Sequence, residues 1–298
     1  MMEYQLLGKS KLKISRIGFG AMSLELNNQH NEKLLYRAFD EGINYFDTAD
    51  MYQQGLTETL LGRTFREKRK HIILATKVGN KWRADGSGWD WNPSKKYILS
   101  AVNQSLERLQ TDYIDLYQLH GGTLEDPIDD IIEAFEHLIT TGKILNYGIS
   151  SIRPNVIREY VKRSDIISVM MQYSLLDRRP EETMLTFLSE NKIDVLARGS
   201  IAKGLLVSKP AEPFLNYTAE QVEKMNAAIR SVSVKLSPLE TATRYVLQHS
   251  PVCSVVIGIR TTEQLQDALA AGEIKALTAS QMKELGKVLP ANKYIDHR

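Results

Sequence analysis

A single cysteine, Cys253, rules out a disulfide within the chain, and such sparing use of thiols suits a reducing, cytoplasmic compartment. Cys253 sits in Pro251-Val252-Cys253-Ser254-Val255-Val256-Ile257 and reads as a small buried hydrophobe in a strand. No apolar run approaches the ~18 residues of a membrane span, and the polar stretch Met1 to Ser10 lacks the apolar core of a signal peptide. Charge of one sign is missing too. The 38 basic and 36 acidic residues leave a net +2 with no basic block, so neither nucleic acid nor a membrane is an expected partner. The six histidines show no paired spacing and no His-Glu-x-x-His, which speaks against a metal-dependent hydrolase. No Gly-x-Gly-x-x-Gly follows a strand, and Gly18-Phe19-Gly20 is only a fragment of one, which weakens a Rossmann reading.

What is present is a soluble, globular composition, 43% hydrophobic and 25% charged over 298 residues, enough chain to bury a core without staples. Short β-branched or aromatic runs alternate with helical patterns. Eight strands are expected at Ile14–Gly20, Asn44–Asp47, Ile72–Lys77, Tyr113–His120, Asn146–Ser150, Val169–Gln172, Asp194–Ala197 and Ser254–Gly258. Most are continuous apolar runs, the mark of a parallel sheet covered on its outer face. Asn92-Pro93 and Asp126-Pro127 offer helix starts, Ser237-Pro238-Leu239-Glu240 a capping box, and Gly42 and Gly142 helix stops. Threonine-to-glutamine boxes recur at Thr218, Thr261 and Thr278. Eight βα units in this length suit an α/β fold of the closed (β/α)₈ (TIM) barrel type. Residues 4–13, with turn chemistry at Gly8–Ser10, read as an N-terminal β-hairpin closing the barrel floor, and an extra helix falls between Pro210 and Pro238. No linker divides the chain, so residues 1–298 are expected to form one domain.

Four polar residues fall at or just beyond the ends of three adjacent strands: Asp47 and Tyr52 after the second, Lys77 after the third, His120 after the fourth. Polar groups there are costly unless they pair, and at the C-terminal rim of a barrel such residues usually do chemistry. Together they suit carbonyl reduction, which needs a hydride at carbon and a proton at oxygen. An unassisted phenol holds its proton tightly, titrating near ~10. A lysine ammonium ~4 Å away favours phenolate by up to ~4 kcal/mol at an effective dielectric of ~20. Asp47 would hold Lys77 charged and aimed. His120 would bond the carbonyl oxygen or relay a proton.

The chain resembles the aldo-keto reductase family, in the manner of a bacterial NADP-dependent member, over nearly its full length. The matching motifs are Gly42-Ile43-Asn44-Tyr45-Phe46-Asp47-Thr48-Ala49 with Tyr52, Ala75-Thr76-Lys77, Leu106-Glu107-Arg108-Leu109 with Asp112-Tyr113-Ile114-Asp115-Leu116-Tyr117, and Gly148-Ile149-Ser150. The resemblance implies NADPH-dependent reduction of a small-molecule aldehyde or ketone, with Asp47, Tyr52, Lys77 and His120 as the catalytic tetrad. It also implies a dinucleotide held without a Rossmann unit. Met22, Asp47, Ser150, Ser151 and Gln172 would lie along the nicotinamide end. Arg198, Gly199, Ser200, Ala202, Lys203 and Gly204 would embrace the pyrophosphate, small residues letting backbone amides approach it. Gly258, Arg260, Thr262, Gln264 and Asp267 would hold the adenosine end, where a helix start and Arg260 suit a ribose 2′-phosphate. The chain departs from the family pattern at Ser151, Arg198, Ile257 and Ala268. Arg198 stands where many members have a tyrosine stacked on nicotinamide, and its guanidinium plane can stack instead.

All three tryptophans, Trp82, Trp89 and Trp91, lie in the loop Gly79–Asn92, an apolar lid suited to aromatic or apolar carbonyls. A rival reading is a nucleotide-sensing binding subunit of the same fold with little turnover.

Overall fold

The computed structural model describes residues 2–25, 29–232, 235–273 and 276–298. It opens with an antiparallel hairpin, β1 (Tyr4–Leu6) against β2 (Lys13–Ser15). After a helixless step at Arg16 come the barrel strands β3 (Ile17–Gly20), β4 (Tyr45–Asp47) and β5 (Ile73–Val78). A second hairpin follows, β6 (Asn80–Trp82) and β7 (Trp89–Trp91), and then the barrel resumes with β8 (Leu116–Leu119), β9 (Tyr147–Ser150), β10 (Ser168–Gln172), β11 (Asp194–Arg198) and β12 (Val252–Gly258). Each barrel strand pairs with the next in parallel, and β12 closes on β3. This is a (β/α)₈ barrel.

The helices between strands are α1 (Asn31–Asp40), α2 (Leu56–Phe65), α3 (Lys95–Leu109), α4 (Ile128–Thr140), α5 (Pro154–Arg163) and α6 (Met184–Glu190), then α7 (Ala219–Val232), α8 (Pro238–Leu247), α9 (Thr262–Ala271) and α10 (Ala279–Val288). They lay one apolar face on the strands. In α4 that face is Ile128, Ile131, Phe135 and Leu138, all buried. The extra helix expected after Pro210 is α7. No helix among the described residues is long and apolar enough to cross a membrane.

The first hairpin stoppers the N-terminal floor. Leu7 and Ile14 are fully buried against barrel-lining Tyr45, Leu116, Met170 and Leu196. Its turn needs glycine at Gly8, where φ is +54° and an added Cβ would lie 2.2 Å from the Ile167 carbonyl. The Gly8 amide donates to Asp194 Oδ2 at 2.8 Å, fixing the stopper to β11.

Several expected boundaries move. The run 14–20 is broken, because Arg16 turns its guanidinium to the carbonyls of Val252 (2.7 Å), Cys253 (2.8 Å) and Leu247 (2.6 Å). The run 113–120 is paired as barrel strand only from Leu116. Its first residues serve Arg69, which donates to the Tyr113 carbonyl at 2.8 Å and to Asp115 Oδ2 at 2.6 Å. Neither Asn92 nor Asp126 caps a helix through its side chain. Ser94 caps α3, and the Asp126 carboxylate instead accepts from Trp91 Nε1 and the Thr123 amide. The boxes at Ser237 and Thr278 form as expected. At Thr261 only half of one forms, because Gln264 Oε1 accepts from the Arg260 amide.

Candidate active site

Side chains alternate along each strand. Tyr45, Ala75 and Leu116 line the barrel interior, so Asp47, Lys77 and Gln118, two residues further on, point inward at the C-terminal rim. Lys77 Nζ donates to Asp47 Oδ1 at 2.5 Å and to the Thr48 carbonyl at 2.7 Å. Gln118 Nε2 faces Asp47 Oδ2 at 3.4 Å. Lys77 is 1% exposed and Asp47 4%, so the charges are out of water and depend on each other. Burial pulls Lys77 toward neutrality, but Asp47 and then Tyr52 outweigh it, and its pKa is raised. Burial likewise pushes the Asp47 carboxyl up, opposed by Lys77 and Gln118. Both Asp47 oxygens face N–H donors, which favours the carboxylate against that upward pull.

Tyr52 opens a tight turn, Tyr52–Gly55, whose Gln53 and Gln54 take left-handed angles. Gly55 ends it at φ +86°, where an added Cβ would meet the Arg108 guanidinium at 2.5 Å. This turn carries the phenol back over the rim. The Lys77 ammonium lies 5.2 Å from the centre of the Tyr52 ring. His120, just beyond β8, meets that ring edge-on at 5.7 Å between centroids. His120 Nδ1 is buried without a partner among the described residues. Burial first, then the charges of Lys77 and Arg198, lowers the His120 pKa to about 3, so the imidazole is neutral at ordinary pH.

A buried acidic cluster behind the tetrad escaped the sequence reading. Tyr97 donates from its hydroxyl to Asp50 Oδ2 at 3.3 Å, and Asp50 Oδ1 has no partner among the described residues. Glu58, fully buried, accepts from Thr76 Oγ1 at 2.5 Å and Arg108 Nε at 2.7 Å. Burial, then the charge of Glu58, pushes Asp50 up to about 8. Its only sequence signal is the one carboxylate, Asp50, between Asp47 and Tyr52.

The tryptophan loop is ordered as the β6–β7 hairpin, with Trp82 opposite Trp89 and Asn80 opposite Trp91. It is tied to the loops that carry the tetrad. Trp82 Nε1 donates to the Met51 carbonyl at 2.9 Å, beside Tyr52, and Asn80 Nδ2 to the His120 carbonyl at 3.2 Å. The Trp91 ring packs where side chains on Gly79 and Gly121 would stand. Trp89 is the exposed member.

The residues expected to hold a nucleotide form an arc around the rest of the rim. Met22 is exposed after β3, and Ser150, which ends β9, and Ser151 just beyond it are buried. Ser151 Oγ is engaged by the Arg153 amide at 3.2 Å. Gln172 and Arg198 end neighbouring strands in register. The loop beyond Arg198 is tight: Gly199, Ala202, Lys203 and Gly204 all have positive φ, and the Ala202 and Gly204 amides donate within it. Ser200 is buried. After exposed Gly258, a cavity of about 180 Å³ opens beside the start of α9, lined by Glu25, Asn31, Arg260, Thr261 and Gln264. Thr262 begins α9 outside that lining, and Asp267 lies on its exposed side. A floor cavity of about 300 Å³, lined by Arg16, Lys192, Asp194 and His249 among others, is remote from these groups. No three His, Cys, Asp or Glu side chains among the described residues are grouped to hold a metal.

A sequence model of the Aldo/keto reductase family matches residues 16–290. The chain is 48% identical to the uncharacterized oxidoreductase YqkF of Bacillus subtilis (strain 168), over 98% of each chain. It is 32% identical to the aldo-keto reductase yakc [NADP(+)] of Schizosaccharomyces pombe, over 67% of this chain and 62% of that one. Among solved structures it is similar to the aldo-keto reductase AKR11C1 of Bacillus halodurans over the whole of both chains. The TM-score is 0.96 with 46% identity for the holo form, and 0.87 with 43% identity for the apo form.

Proposed function

This chain belongs to the aldo/keto reductase family, and from that premise we propose that it reduces aldehydes or ketones to alcohols with NADPH, Tyr52 acting as the general acid. The observation that carries the reading is the Lys77 ammonium, buried between Asp47 at 2.5 Å and the Tyr52 ring at 5.2 Å. A cation there stabilises the phenolate left when Tyr52 gives its proton to the carbonyl oxygen. Asp47 keeps that cation charged and fixed. His120, neutral and partnerless at Nδ1, orients the carbonyl oxygen without competing as a charge. NADPH, when bound, supplies the hydride. Gln172 and Ser150 suit its carboxamide, and Arg260 beside the α9 cavity suits its 2′-phosphate. The name of the yeast relative supports NADP(H) as the nucleotide. The hairpin tryptophans favour aromatic or apolar carbonyl compounds as substrates.

In the test, Tyr52→Phe is expected to bind NADPH as before while turnover of an aromatic aldehyde falls by ~10²–10⁴. Turnover that survives in this variant would remove Tyr52 from the mechanism. Steady NADPH oxidation separates the enzyme from a nucleotide sensor, which would show one slow turnover per bound cofactor. Arg260→Ala should narrow the preference for NADPH over NADH.

A further inference from the structure

We propose that Asp50 is a positioning residue for Tyr52, clamping the turn that carries the phenol between the Lys77 strand and the start of α3. The inference rests on the reductase reading above and adds to it a residue from the buried cluster behind the tetrad. Asp50 stands two residues before Tyr52, and it is tied at both its backbone and its side chain. The Asp50 amide donates to the Lys77 carbonyl at 3.2 Å, joining the turn to the strand that bears the ammonium. Asp50 Oδ2 accepts from the Tyr97 hydroxyl at 3.3 Å, joining the same turn to α3. The phenol and the cation that serves it are thus referred to one buried carboxyl.

Tyr97 is a firm anchor. Its amide donates to the capping Ser94 Oγ at 3.3 Å, and the Lys81 ammonium of β6 lies 5.8 Å from the centre of its ring. Burial, then the charge of Asp50, raises its pKa, so the hydroxyl stays a donor. Asp50 is 8% exposed, and its Oδ1 has no partner among the described residues, so Oδ2 is its side-chain hold on α3. A carboxyl here is costly. Glu58 is close enough to repel it, and Arg108, whose charge it also feels, is already bonded to Glu58 at 2.7 Å. A polar group buried at such cost and held by a single side-chain bond adds little to packing. It does fix geometry, and geometry matters at this turn, because a misplacement of about 1 Å in a reacting group can cost ~10²-fold in rate.

The test measures kcat for an aromatic aldehyde and the NADPH dissociation constant in the wild type, Tyr97→Phe, Asp50→Leu and Asp50→Asn. Tyr97→Phe and Asp50→Leu should each lower kcat about tenfold and leave the NADPH constant unchanged. Asp50→Asn, whose amide oxygen still accepts from Tyr97, should retain most of the wild-type kcat. If Asp50→Leu does not fold, Tyr97→Phe decides alone. Added to Tyr52→Phe, the Tyr97→Phe change should cost nothing more, because no phenol is left to aim. A wild-type kcat in Tyr97→Phe overturns this inference alone. So does a further fall of about tenfold on top of Tyr52→Phe, the mark of a general loss of structure. A wild type without steady turnover overturns the proposed function together with it.

Discussion

The Lys77 ammonium stands 5.2 Å from the centre of the Tyr52 ring while bonded to Asp47 at 2.5 Å, so one buried cation serves a carboxylate and a phenol at once. Lys77→Met should therefore fail twice. Turnover should fall at least ~10²-fold, and unfolding in urea should show a loss of ~3–5 kcal/mol, because Asp47 is left as an unpaired buried charge. Adding Asp47→Asn should restore much of the stability and none of the activity. Recovery of activity in the double variant would show that the cation is not needed.

His120 gives a prediction on pH. Its pKa is lowered to about 3, whereas an unfolded histidine titrates near ~6.5. Between those values the unfolded chain binds the extra proton, so stability is lost as pH falls through the window. Relative to His120→Asn, the wild type should lose about 2 kcal/mol between pH 7 and pH 5, read by urea denaturation at each pH. Its turnover should show no histidine inflection between pH 5 and pH 8.

Asp50 behaves in the opposite sense. Raised to about 8, it holds a proton that the unfolded chain, near ~3.9, has already released. Stability therefore falls as pH rises across that window. Asp50→Asn keeps a partner for Tyr97 and carries no titration. It should gain about 2 kcal/mol on the wild type between pH 6 and pH 8. An identical pH dependence for the two proteins would show that Asp50 is ionised at neutral pH.

Trp82→Phe removes the bond to the Met51 carbonyl and keeps most of the apolar surface. The loss of a hydrogen bond of ~1 kcal/mol should lower kcat/KM for aromatic aldehydes about fivefold and leave the NADPH dissociation constant unchanged. Unaltered kcat/KM would mean that the hairpin does not hold the Tyr52 turn in place.

The barrel was legible because strands covered on both faces are continuous apolar runs, and because glycine and capping residues punctuate the helices between them. The candidate site was legible because Asp47, Lys77 and His120 fall at or next to the ends of successive barrel strands, with Tyr52 in the turn after the first of them. What escaped notice depends on distant partners. Arg16 breaks an unremarkable strand because carbonyls more than two hundred residues later need its guanidinium. Glu58 sits on a helix among polar neighbours, and nothing local reveals that it is fully buried against Thr76 and Arg108. The β6–β7 hairpin has three-residue strands, too short for a two-residue period to stand out. Glu25, in the cavity beside Arg260, is separated from it by most of the chain.

Reactive carbonyl compounds, above all conjugated aldehydes, inactivate proteins by alkylating exposed thiolates. The sole sulfhydryl of this chain, Cys253, is sealed under the floor hairpin, with Sγ toward the Leu6 carbonyl and its thiol form favoured by burial. An electrophile at the surface of this chain therefore meets no cysteine thiolate.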